Sequence, residues 1–143
     1  MINFTIKGKP TPQPRPRFVN RGKFVTVFDP AKESKKAFLL ECMPHAPIEP
    51  FDEAVSVDIT FYFPRPKSHF RTGKFANELK VTAPEYHTSK PDIDNLQKHF
   101  FDSLNGVFWK DDSVIDEIVA KKSWALEGST VAKIIEPDDY VDF

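Results

Sequence analysis

Five aspartates fall within KPDIDNLQKHFFDSLNGVFWKDD, residues 90 to 112: Asp92, Asp94, Asp102, Asp111 and Asp112. Carboxylates repel one another, and few folds gather them without a cation. An all-oxygen donor set suits a hard divalent ion such as Mg²⁺. Asp92 and Asp94 follow Pro91 at the expected start of a helix. The helix amides and dipole favour negative charge there, so capping is an equally simple use for them. Lys98 lies one helical turn beyond Asp94, and Asp102 one turn further, on the same face. A lysine so placed neutralises the aspartates, or meets a phosphate whose other oxygens rest on a metal. Asp111 and Asp112 stand just before an expected strand, where adjacent side chains point to opposite faces, so only one of them need turn inward. The helix, a turn at Asn105–Gly106 and a returning strand are expected to bring that carboxylate back near Asp92 and Asp94. His45, His69, His87 and His99 are scattered along the chain, which gives no zinc-like grouping.

The elements that must position these groups follow from periodicity. INFTIK alternates Ile2, Phe4 and Ile6 against polar neighbours and reads as a half-buried strand. GKPTPQPRPR cannot pair its proline nitrogens and is expected as an extended loop, followed by a short strand in KFVTVF. DPAKESKKAFLLECM reads as a helix with Asp29 as its cap, Pro30 in its first position, and Phe38, Leu39 and Cys42 inward. AVSVDITFYF is the clearest strand, with Val55, Val57, Ile59, Phe61 and Phe63 on one face. The 28 residues from Pro64 to Pro91 show no period, which marks a functional or mobile loop. DIDNLQKHFFDSL is a helix with Ile93, Leu96, Phe100, Phe101 and Leu104 on its apolar side. SVIDEIVAKKSWAL and STVAKIIE are two strands turning at Glu127–Gly128, and the tail PDDYVDF is expected to be loosely held. Strands and helices do not alternate regularly, which favours α+β over a doubly wound sheet.

A chain of 143 residues, 40% hydrophobic and with 14 Phe, fits one domain with a real core. The single cysteine, Cys42, cannot make an internal disulfide, so a reducing, cytoplasmic setting is the expectation. No stretch is apolar and long enough for a signal peptide or a membrane helix. The net charge of −1 conceals segregation. Residues 1–36 carry nine Lys and Arg against two acids, and residues 64–90 six against two. Residues 37–63 hold five acids and no base, and residues 91–143 twelve acids against five bases. Two basic segments around an acidic pocket suit a polyanion, although such blocks also arise as solvated faces that cancel in three dimensions.

The stretch DIDNLQKHFFDSLNGVFWKDDSVIDEIVAKK resembles the RusA family of Holliday-junction resolvases. The likeness rests on Asp-x-Asp-Asn-Leu-x-Lys, an Asp a turn later, a Gly, and Asp-Asp ahead of a strand. GKPTPQPRPRF and FYFPRPKSH…EYHTSKPDIDN resemble the family's other segments, so the likeness covers most of the chain. It is loose from Ala31 to Pro50 and after Glu136. The resemblance implies a single RusA-like endonuclease domain over 1–143, α+β, with a mixed β-sheet and about two main helices packed on it. It implies a homodimer that nicks four-way DNA junctions in pairs during recombination and repair, with Mg²⁺ (or Mn²⁺) and no small-molecule cofactor. By motif position, Asp92, Asp94 and Asp112 resemble the metal-binding catalytic carboxylates, with Asp111 beside them, and Lys98 resembles the catalytic lysine. DNA contact is expected from Arg15, Arg17, Arg21 and Lys23 around the Pro-rich loop, and from Arg65, Lys67, Arg71, Lys74 and Lys90 along the long loop. Phe18, Phe70, Phe75 and Tyr86 lie among them as candidate wedges. The sequence does not fix which surface dimerises; an apolar face of the 54–63 strand and the Phe-rich helix are two candidates.

Two other functions share these residues: a nuclease for other branched DNA such as flaps, and a nucleic-acid-binding module whose aspartates only cap and pair. The metal reading predicts that Asp92→Asn or Asp112→Asn keeps the fold and junction binding while abolishing cleavage. Circular dichroism, gel-shift and cleavage of a labelled junction check it, and retained cleavage by either purified variant contradicts it.

Overall fold

A computed structural model describes residues 1–15, 17–22 and 24–137, with the backbone but not the side chains of 17–19, 21, 24 and 26. The strands are β1 (Ile2–Lys7), β2 (Arg17–Arg21), β3 (Phe24–Phe28), β4 (Val55–Pro64), β5 (Ile115–Ala125) and β6 (Ser129–Ile135). The helices are α1 (Lys32–Cys42) and α2 (Ile93–Leu104). β1, β6, β4 and β5 form one sheet in that order, antiparallel except for the parallel pair β4–β5. A parallel pair needs a crossover, and α2 supplies it, running back along the sheet between the two strands. The sheet is therefore mixed, and the domain is α+β with two helices.

Alternation decides which face of β4 is inside. Val55, Val57, Ile59, Phe61 and Phe63 form one inward row, each at most 2% exposed. On α2 the 3.6 period puts Leu96, Phe100 and Leu104 on one side, all buried in the same core with Phe101, Phe108 and Trp109. Cys42 is the fully buried residue of α1. These apolar faces are buried within the chain, so the inner row of β4 and the Phe-rich side of α2 are not left exposed as candidates for a dimer contact.

Two local expectations change. The segment 17–21 is a strand, and it makes a separate two-stranded hairpin with β3. Gly22 turns it at φ +69°, a left-handed conformation that glycine adopts readily. Asp29 is not the helix cap: Ala31 holds that position, and the Asp29 carboxylate accepts the Ala31 amide at 2.9 Å.

The long stretch after β4 is folded and anchored. Two 3₁₀ turns, Lys67–His69 and Gly73–Phe75, are followed by a bridge of Phe70 to Leu79. His87 is buried; its ring stacks on Trp124 at 4.0 Å and meets Phe63 edge-on at 4.7 Å. The Lys122 amine donates to the carbonyl of Pro91 at 2.9 Å and to that of Ser89, which ties the approach to α2 onto β5. Among the described residues no helix is long and apolar enough to cross a membrane.

Lys122→Met removes both bonds while keeping much of the stem packing. Charged hydrogen bonds of this kind contribute about 1.5–3 kcal/mol. Trypsin is expected to cut between Arg65 and Lys90 several-fold faster in the variant than in the wild type, read by mass spectrometry; unchanged cutting would mean the anchor lies elsewhere.

Candidate active site

Asp92 occupies the N-cap of α2 with extended backbone angles (φ −71°, ψ 144°), and its carbonyl accepts the Leu96 amide at 3.2 Å. Its carboxylate makes no capping hydrogen bond. Asp94, exposed in the first turn, accepts the Asn95 amide at 2.9 Å. The carboxylate placed best for capping is thus left for something else. Asp92 lines an open cleft of about 670 Å³ with Lys90 and Asn95 on one wall and Gln13, Pro14 and Arg15 on the other.

The second wall is the Pro-rich segment, which carries few amides of its own to pair. Gln13 fastens it: its amide donates to the Asn95 carbonyl at 2.9 Å, and its Nε2 donates to Asp29 Oδ1 at 2.8 Å. Asp29 also pairs with the Lys35 ammonium, and that cation holds its carboxyl down to about 2. Lys35 reaches Asp102 as well, at 3.8 Å. α1, α2 and the Pro-rich wall are therefore joined through one ionic node.

Asp112 begins a 3₁₀ turn (Asp112–Val114), and the Trp109 indole Nε1 donates to its Oδ1 at 3.1 Å. Trp109 is fully buried, and its neighbours are pinned by paired backbone bonds to Phe51, each 2.9 Å. Burial pushes the Asp112 carboxyl up; the Trp109 bond opposes this, and the charges of Asp102 and Asp111 reinforce it. Asp111 is exposed and held below the usual carboxylate range by hydrogen bonds from Ser113.

The expected convergence of the aspartates is not met within one chain. The return through Gly106 does bring Asp112 back to α2, but to its C-terminal end, whereas Asp92 and Asp94 stand at its N-terminal end. Among the described residues, no three His, Cys, Asp or Glu side chains stand together as a metal cage. Lys98 is exposed and makes no ion pair with Asp94 or Asp102; the cation beside Asp102 is Lys35.

The basic residues divide by use. Arg15 and Lys90 are exposed at the cleft, and Lys67 and Lys74 are exposed on the long loop. Arg65 turns inward, donating to the Pro84 carbonyl at 2.7 Å and lying over Trp124 at 5.9 Å. Arg71 pairs with Glu78 at 2.6 Å and covers Phe75 at 4.0 Å. Both hold the loop's own shape. Of the aromatic candidates with described side chains, Tyr86 is the most exposed and Phe75 is covered by Arg71. Lys23, and the side chains of Arg17, Arg21 and Phe18, lie outside the described residues, as does the tail from 138 onward. Gln13, Lys35 and Trp109 are site-building residues without a sequence motif of their own. Only Trp109, three positions before Asp112, stood close enough in WKDD to be noticed.

Known proteins resemble this chain. The model of the endodeoxyribonuclease RusA family matches residues 7–135. The uncharacterized protein YqaN of Bacillus subtilis (strain 168) is 35% identical over 130 residues, covering 88% of this chain and 89% of that protein.

Trp109→Phe keeps the ring packing and deletes the indole donor. The Asp112 carboxyl is then expected to titrate higher still, since the one bond that lowers it is gone, and stability to fall by about 1 kcal/mol. Carboxyl titration by NMR and urea unfolding check both; an unmoved Asp112 titration would show that the indole does not hold this carboxylate.

Proposed function

The chain belongs to the RusA endodeoxyribonuclease family, and from that membership we propose a Mg²⁺-dependent enzyme that resolves four-way DNA junctions by paired, symmetric nicks in recombination and repair. Endodeoxyribonuclease action on DNA junctions comes with the family. The metal, the paired nicks and the catalytic residues are this proposal's content. The observation that carries it is the Asp92 carboxylate, which is free of the capping bond its position invites and opens on the cleft of Arg15 and Lys90.

A phosphodiester resists attack because its own charge repels a nucleophile. Arg15 and Lys90 offset that charge and hold the backbone in the cleft, giving salt-sensitive and largely sequence-independent affinity. Lys67 and Lys74 extend the contact along the flanking duplex. The aspartates offer only oxygen donors, which fits a hard cation; Asp92 and Asp94 at one end of α2, and Asp112 with Asp111 at the other, would supply them. When bound, Mg²⁺ (or Mn²⁺) supplies charge neutralisation at the phosphate and a water acidic enough to attack. Lys98, exposed one turn from Asp94, offers its ammonium to the charge that grows on the phosphoryl oxygens. Two nicks across a two-fold junction call for two chains, so the working unit is a homodimer.

A labelled four-way junction, a 5′ flap and a linear duplex, each with Mg²⁺ or EDTA, test the reading. Symmetric nicks confined to the junction and lost in EDTA are expected. Equal cutting of the flap overturns the substrate assignment, and binding without cutting overturns catalysis.

A further inference from the structure

The Pro-rich segment borders a second space. Lys9, Pro10 and Thr11 line a cavity of about 200 Å³ that enters between α1, α2 and the near ends of β1 and β6. Its apolar lining is Ile6, Phe38, Phe61, Leu96 and Phe100, all part of the core or packed on it. Two polar residues stand in rows that are otherwise apolar. Thr130 shares the inward side of the sheet with its partner Phe61 and is 4% exposed. His99 lies between Leu96 and Phe100 on the buried side of α2 and is 3% exposed. The Ser34 hydroxyl gives its one hydrogen to the Ala31 carbonyl at 2.9 Å, so His99 Nε2, 3.0 Å from the same oxygen, is the donor of that contact. Burial, and then the charge of Lys35, push the ring's titration down against Asp29 and Asp102, so the ring is neutral near neutral pH. Its Nδ1 is then an acceptor, and no described residue donates to it. At the mouth stand the exposed Glu41 carboxylate and two exposed cations, Lys7 and Lys9.

These features describe a ligand. Phe38 and Phe100 meet edge to face at 5.8 Å, an aromatic corner that suits a planar ring. An apolar cavity of about 150 Å³ already takes benzene, so this one takes a ring of nucleobase size. Acceptors inside ask for a ring that carries an amino group, and cations outside ask for an anion attached to it. We propose that this cavity binds a nucleobase whose phosphate rests on Lys7 and Lys9, and that it favours adenine and cytosine over thymine. The Glu41 carboxylate and His99 Nδ1 accept from the exocyclic amino group, where thymine carries a carbonyl. Two sources offer such a group: a base swung out of DNA held in the Arg15–Lys90 cleft, and a free nucleotide. The layout suits the first. Arg15 and Lys9 lie on one wall, at most about 22 Å apart along the chain, which is roughly six stacked bases of one strand. A base at a branch point leaves its stack at least cost. No step of cleavage passes through this cavity, so the proposal stands whether or not the chain cuts junctions.

Amide NMR of the isotope-labelled full chain, titrated separately with the monophosphates of deoxyadenosine, deoxycytidine and thymidine, reads the cavity directly. Saturable shifts are expected at Ser34, Phe38, His99 and Thr130, with the first two nucleotides binding at least about five-fold tighter than the third. Glu41→Gln should shrink that preference several-fold, while Lys7→Gln combined with Lys9→Gln should weaken all three nucleotides alike. Ala37→Trp, which crowds the mouth from α1, should lose the shifts with its circular dichroism and melting temperature unchanged. A four-way junction and a linear duplex, each carrying a fluorescent aminopurine, beside the branch in the junction, read the DNA source without Mg²⁺. Emission is expected to rise when the wild type binds the junction and to stay flat with Ala37→Trp. Shifts from free nucleotides with a static aminopurine support the site and make the free nucleotide its ligand. Absence of both signals overturns the proposal, and equal affinity for all three nucleotides overturns the base preference.

Discussion

The contact between α2 and the inner row of β4 governs everything else in this molecule. Leu96, Phe100 and Leu104 are at most 1% exposed. Fully burying side chains of this kind contributes on the order of 1.5–3 kcal/mol each. A helix held by three such residues along its length cannot tilt or slide without opening the core, since interiors pack at crystal-like density. Its length and direction are thereby fixed, and so are the positions of the carboxylates at its two ends. The acidic motif is read in the sequence as a cluster, but the packing sets its carboxylates at the two ends of one rigid helix.

Electrostatics then attach the less regular parts to that helix. The Pro-rich wall lacks strand pairing and is held through Gln13, which bridges the Asn95 carbonyl and Asp29. Asp29 stays ionised because Lys35 lies against it, so the node keeps its charge until the medium is strongly acidic. The opposite wall is held by Lys122 and by the stacked rings of His87 and Trp124. Of the basic residues expected to contact DNA, Arg15, Lys67, Lys74 and Lys90 are left exposed.

Much of this could be read from residue order. Strict alternation in INFTIK and AVSVDITFYF gives β1 and β4 with their inner faces, and the 3.6 period gives α2 to within a residue. Family membership rests on the Asp-x-Asp-Asn-Leu-x-Lys run and its flanks. β2 escapes because RFVNR is short and follows prolines, and its pairing with β3 depends on the turn at Gly22 rather than on any pattern of its own. The long loop lacks a period because rings and a lysine from β5 hold it, and those partners are remote in sequence. Asp112 shows a different limit. Periodicity gives the order of the elements, while the end of the helix at which the chain returns follows from helix length and strand direction, and the parallel pairing of β4 with β5 settles it.

The lone thiol of Cys42 has a practical consequence. It sits fully buried in the last turn of α1, and burial, aided by the charge of Glu41, pushes it up to about 12. A protonated, inaccessible sulfur does not react with maleimides or disulfide reagents while the native core is closed. Alkylation of the protein therefore clocks how often that core opens, and cysteine-directed fluorophores can be installed elsewhere on the surface without first removing the natural residue.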